Sequence, residues 1–175
     1  FSLMDIEIII EKNKKDFKVL KNNSVILKGS KPKRFTSETN FFFNNSSFKI
    51  KKKSFWSSTI NIFKGSGLRG EFVYNWKTGY TIITYENNKE VNKYVLASER
   101  PKGWYKSDTI YTLKDKDDKR VLSIYFKYIK WKENITAELI EDVYENYEFL
   151  IYAMYLMRLT QQSDSSGATA IVMTG

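Results

Sequence analysis

The residues best equipped to meet a ligand lie in KIKKKSFWSS (49–58), where Lys49, Lys51, Lys52 and Lys53 run directly into Phe55 and Trp56. Ammonium groups attract phosphates, and adjacent aromatic rings suit a membrane interface or a stacked base. A plainer account is a solvated edge strand whose lysines discourage pairing with another chain. The next candidate is Arg69 in GSGLRG (65–70), which matches G-x-G-x-x-G by letter. A dinucleotide site needs that motif to follow a strand and open a helix. Here EFVYNW follows, which reads as a strand, so the glycines belong to a hairpin loop, with an anion-binding turn around Arg69 as the remaining option. The candidate anion or lipid contacts are therefore Lys49, Lys51, Lys52, Lys53, Trp56 and Arg69.

Catalytic chemistry has little to work with. The chain has no His and no Cys, which removes thiol nucleophiles, disulfides, the usual zinc sites and any imidazole shuttle. Asp115, Asp117 and Asp118 are the densest acidic cluster, but the Gly and closing Glu of a calcium loop are missing, so they read as a solvated turn. Glu141 and Asp142 are sequence neighbours, so their side chains diverge, and capping explains them better than a catalytic dyad. No catalytic, cofactor-binding or metal residue is expected. Trp104, Tyr105, Tyr125, Tyr128 and Trp131 read as barrel-wall residues with wet polar tips.

The formal net charge of +9 over 175 residues admits an anionic membrane surface or nucleic acid as partner. Lys dominates the basic residues, whereas dedicated phosphate readers lean on the Arg fork, so nucleic acid is the weaker expectation. The joint abundance of Lys, Asn, Ile, Tyr and Phe also fits an AT-rich coding bias, which would make part of the charge incidental. The opening FSLMDIEIII carries Asp5 and Glu7 and no cationic start, unlike a signal peptide. A cytoplasmic protein, peripheral at a membrane, is expected.

The elements that must hold these residues are mostly strands. Short β-rich runs fall at 3–11, 16–20, 24–28, 40–53 (two strands around a polar corner), 58–64, 70–76, 79–86, 90–98, 104–114 and 119–131, separated by short polar turns. The segment 135–142 reads as a strand or the start of a helix. That makes ten to twelve strands, the pattern of an all-β barrel or sandwich. One helix follows, over 143–159, about 25 Å long. From Phe149 to Met157 it is apolar on every face, which a surface helix is not. Its apolar part falls short of the roughly 20 residues needed to cross a bilayer. The expected core residues are Phe149, Leu150, Ile151, Met154, Tyr155 and Leu156. Residues 161–167 read as a loop and 168–173 as a last strand or tail.

An eight-stranded barrel is filled by its own side chains, whereas a wider one has space for a helix about 10 Å across. The expected fold is one domain, a roughly twelve-stranded antiparallel β-barrel enclosing the C-terminal hydrophobic helix. The order of strand, acidic junction and hydrophobic helix in ITAELIEDVYENYEFLIYAMYLMRL (135–159), with the Gly-led strand GEFVYNW, resembles the tubby-like barrel family, which includes tubby C-terminal domains, LURP-one-related proteins and phospholipid scramblases. The resemblance implies association with phosphoinositide-like head groups or membrane lipid, and for some members nucleic-acid or regulatory roles. The Lys/Arg pocket of tubby domains and the cysteine-rich and calcium-binding features of scramblases have no counterpart identified in this sequence. The leading expectation is a non-enzymatic binding or scaffold protein that meets anionic phospholipid head groups through a Lys-rich face. The runner-up is a protein–protein interaction module with incidental charge. A carrier of a hydrophobic ligand would need the lumen that the helix fills, and an enzyme is supported least.

Overall fold

The computed structural model describes residues 6–11, 15–30, 38–77, 79–103, 108–141 and 144–174, with side chains of the helix described over 146–161. Twelve strands run in order: β1 (Ile6–Ile10), β2 (Asp16–Lys21), β3 (Ser24–Ser30), β4 (Thr39–Phe43), β5 (Ser46–Lys52), β6 (Ile60–Lys64), β7 (Gly67–Asn75), β8 (Gly79–Glu86), β9 (Lys89–Glu99), β10 (Thr109–Asp115), β11 (Arg120–Ile129) and β12 (Lys132–Leu139). Each pairs antiparallel with its sequence neighbours, and β1 pairs with β12, which closes the barrel. Closure leaves no unpaired edge, so the lysines of β5 do not guard one: β5 lies between β4 and β6.

Alternation decides which side chains enter the lumen. Ile6 and Ile8, Phe41 and Phe43, Phe48 and Ile50, and Ile60 and Ile62 are buried, while their strand neighbours face outward. The outward side is polar, as with Lys18, Lys49, Lys51, Glu71, Lys93 and Glu138. An outer-membrane barrel has the reverse arrangement, with an apolar exterior and a polar lumen.

The lumen is occupied by the N-terminal part of α1 (Tyr144–Thr174), buried from Tyr147 to Met157 except at the partly buried Phe149. Leu150 to Met157 are buried without interruption. Successive helical residues step by 100°, so eight in a row cover every face, and only enclosure on all sides buries them. Phe72 of β7 stacks on Tyr155 with ring centroids 5.4 Å apart, and Phe43 of β4 meets Tyr147 at 5.9 Å. Of the expected core residues, Leu150, Ile151, Met154, Tyr155 and Leu156 are buried, and Phe149 is partly buried against Tyr94 at 4.5 Å.

Residues 135–139 take the strand alternative and complete β12, and the helix runs from Tyr144. Two other readings of the sequence change. The loop over 161–167 and the strand over 168–173 are replaced by helix continuing to Thr174. Extending an established helix adds one hydrogen bond per residue fixed, without a new nucleus, so weak formers such as Ser and Gly do not end it. Trp131 is not a wall residue: it stands in the turn after β11, 97% exposed. Tyr125 does lie on the wall, donating to Glu138 at 3.0 Å, and Tyr128 is half exposed, edge-on to Phe126. Trp104 and Tyr105 lie outside the described residues.

Candidate functional site

In a closed antiparallel meander, connections after odd-numbered strands gather at one end, and those after even-numbered strands at the other. The two ends, termed here the rim and the base, are chemically unlike. The helix enters at the base, after β12, and leaves towards the rim, where Arg158 bonds Glu133 at the start of β12 and Gln161 at 2.9 Å.

The base is built for tight closure. Its turns are Asn22-Asn23, Asn44-Asn45, Gly65-Ser66 and Asn87-Asn88, and all six of these asparagines have positive φ. Asn tolerates the left-handed region better than other side chains, which suits two-residue hairpins. The remaining turn, after β10, is where the Asp cluster lies. Asp115 Oδ1 accepts from the amides of Asp117 and Lys119, both at 2.9 Å, so this carboxylate organises the turn. Among the described residues, no group of three or more His, Cys, Asp or Glu could hold a metal ion.

Arg69 belongs to the base, away from the lysines grouped with it in the sequence. Alternation from Phe72 would point it outward. A bulge intervenes: Ile62 faces Gly70 but Phe63 faces Leu68, leaving Arg69 as the extra residue. It turns to Glu148 in the first turns of α1, donating through Nε to Oε2 at 3.3 Å. Lys64 approaches the other carboxylate oxygen at 3.9 Å, and Tyr152 donates to Oε2 at 3.1 Å. Burial disfavours the Arg69 cation, but the Glu148 carboxylate and Tyr152 outweigh it and raise its pKa. Burial, then the same carboxylate, pushes the Tyr152 phenol well up. The cluster balances a buried carboxylate and ties the helix entry to the wall; it presents no nucleophile–base pair. Gly70 is required for a local reason: an added Cβ would lie 2.7 Å from the Ile83 carbonyl oxygen.

The rim holds the Lys-rich candidates. Lys49 lies outward on β5 and pairs with Glu38 at 3.5 Å. Lys51 sits over the Phe63 ring at 5.6 Å. Lys52 and Lys53 are exposed where the strand ends, and the Lys53 amide donates to the Thr59 carbonyl at 2.9 Å, closing the loop. At the tip of that loop Phe55 and Trp56 are 82% and 90% exposed, edge-on to each other at 4.8 Å. The structure thus groups Lys51, Lys52, Lys53 and Trp56, and places Arg69 elsewhere.

Further rim residues escaped the sequence reading. Trp76, 79% exposed, follows β7, with the Lys77 ammonium 5.1 Å from its ring centroid. Lys130 and Trp131 follow β11. The usable signal was parity: in a meander, every second turn shares an end, and each of these turns pairs a Trp with a Lys.

Comparison with family models gives no match, and comparisons with curated proteins and with solved structures give none either.

Proposed function

We propose that this chain is a non-enzymatic binding protein of tubby-like type that associates with anionic phospholipid head groups through a Lys-rich face. The observation that carries this reading is the convergence of Lys51, Lys52 and Lys53 with the exposed Phe55 and Trp56 at the end of β5. A soluble domain gains nothing from exposing large aromatics beside cations, whereas a lipid interface uses both. The tubby-like part of the reading is supported by the barrel closed around one C-terminal helix. Binding on the outside fits a lumen filled by that helix.

Sedimentation with liposomes tests the reading. The chain should pellet with vesicles containing anionic lipid and stay in solution with neutral ones, and the difference should shrink from low to physiological salt. Equal behaviour with neutral and anionic vesicles would overturn it.

A further inference from the structure

The most exposed aromatics, Phe55, Trp56, Trp76 and Trp131, lie at one end of the barrel and follow a pattern, whereas Phe42, 60% exposed, stands on the outer wall of β4 near the base. In the closed order of strands, the hairpins β5–β6, β7–β8, β9–β10 and β11–β12 follow one another around the wall. Each connection carries one of the chain's four tryptophans: Trp56, Trp76, Trp104 and Trp131. Trp104 lies outside the described residues; the other three project from the rim. The base connections contain no aromatic residue among those described.

Charge divides the same way. The described rim connections carry Lys15, Lys53, Lys77, Arg100, Lys102 and Lys130 against Glu11, Glu38 and Asp108. Those acids are already engaged: Glu11 with Lys18, Glu38 with Lys49, and Asp108, buried, with the Tyr128 amide. At the base, Lys116 and Lys119 are offset by Asp117 and Asp118, and Glu141 adds a further negative charge. The rim is therefore the cationic end.

Trp131 gives an independent reason to treat the rim as functional. Lys130 and Trp131 have φ of 51° and 66°. At the equivalent two-residue turns of the base, positive φ is taken by Asn-Asn pairs and by Gly65. A bulky residue is disfavoured in this region, and Trp131 is 97% exposed, so neither turn formation nor core packing accounts for it. Such an outlier points to a task outside the fold.

We infer that the rim is the membrane-docking face: the barrel stands end-on on an anionic bilayer, with Trp56, Trp76 and Trp131 seated in the head-group interface and the adjacent lysines on lipid phosphates. This rests on the proposed lipid partner and adds orientation and insertion to it. Indole suits that depth because its ring is apolar and its N–H finds water or an ester oxygen. Lys and Arg beside the rings satisfy the anionic surface. The polar outer wall stays in water, so only the end enters. The fold separates the functions: the base ties the helix to the wall, and the rim meets the lipid.

The test uses the whole chain, its intrinsic tryptophan fluorescence, and vesicles of phosphatidylcholine with or without about one third phosphatidylserine, some carrying brominated acyl chains. Anionic vesicles should shift the emission to the blue, and bromine should quench it. The variant W56S/W76S/W131N should melt no lower than the parent, because these exposed side chains lie outside the core, and partition about tenfold or more weakly. The single W131N should weaken binding in part. Binding to anionic vesicles without quenching, unchanged in the triple variant, would overturn insertion yet leave the Lys-rich lipid reading standing. A chain that ignores vesicles of every composition would overturn both and leave the rim aromatics to a protein partner.

Discussion

The base and the rim are made from the same twelve strands, yet they obey different rules. At the base, most turns have a local structural reason, with Ile140, 48% exposed, as an exception. Asn pairs supply positive φ, Asp115 wraps its own turn, and Glu148 is held by Arg69, Lys64 and Tyr152. At the rim, Phe55, Trp56, Trp76 and Trp131 bury little, and Trp131 adopts a backbone conformation its side chain disfavours. Residues chosen by the fold can be explained from the fold. Those that resist such explanation are the ones the proposed lipid contact would account for.

The difference can be broken experimentally, starting with what the two ends share. A chain ending at Asp142 loses α1, and with it the enclosed surface from Tyr147 to Met157. Each buried Leu or Ile contributes roughly 1.5–3 kcal/mol, so the loss exceeds the 5–15 kcal/mol stability of an ordinary domain. No cooperative melting should remain in calorimetry; a soluble, sharply melting product would disprove the axial role of the helix.

Next in size is the base cluster. Glu148→Gln keeps an acceptor for Tyr152 but leaves Arg69 and Lys64 without their carboxylate. Discounted for partial exposure, this should lower the unfolding free energy by about 2 kcal/mol, measured by urea titration, with vesicle binding unchanged per folded molecule. If instead it abolished binding while stability held, the division of labour between the ends would be wrong.

Trp131→Asn should act in the opposite sense. Relief of the positive φ should stabilise the chain by about 1 kcal/mol, visible as a higher melting temperature, while lipid binding falls. A destabilised W131N would mean that the indole packs after all.

The smallest expected effect is an alkaline one on the wall. Tyr85 donates to Glu71 at 2.7 Å, and this bond, helped by burial, pushes its pKa up to about 12. A phenol harder to ionise when folded contributes stability that is complete below its unfolded value, near 10, and is lost as pH rises through about 12. Tyr85→Phe should flatten the decline in stability between about pH 10 and 12, and remove one late phenol from an ultraviolet titration.

Much of the barrel was legible because period-two alternation and Asn-rich turns are local signals. ENNKE (86–90) joins two alternating runs, and the structure has Asn87-Asn88 between β8 and β9. The helix was legible because the uninterrupted run from Phe149 to Met157 leaves no polar face. Its continuation beyond Leu159 was not, since Ser and Gly at 163–167 read as a loop unless the helix before them is already formed. Arg69 was misplaced because strict alternation gives no hint of a bulge. Trp131 was assigned to the wall because an aromatic in a β-rich run is ordinarily packed.

What the sequence determined by itself was the contents of each element: strands with one apolar side, asparagines fit for left-handed turns, and a helix that cannot face water. These follow from neighbours a few residues apart. What only the tertiary structure decided was company: Arg69 with Glu148, 79 residues later, and tryptophans 56, 76 and 131 on one rim. The reason is closure. Once twelve antiparallel strands join β1 to β12, every second turn is carried to the same end, and residues distant in the chain acquire a common surface.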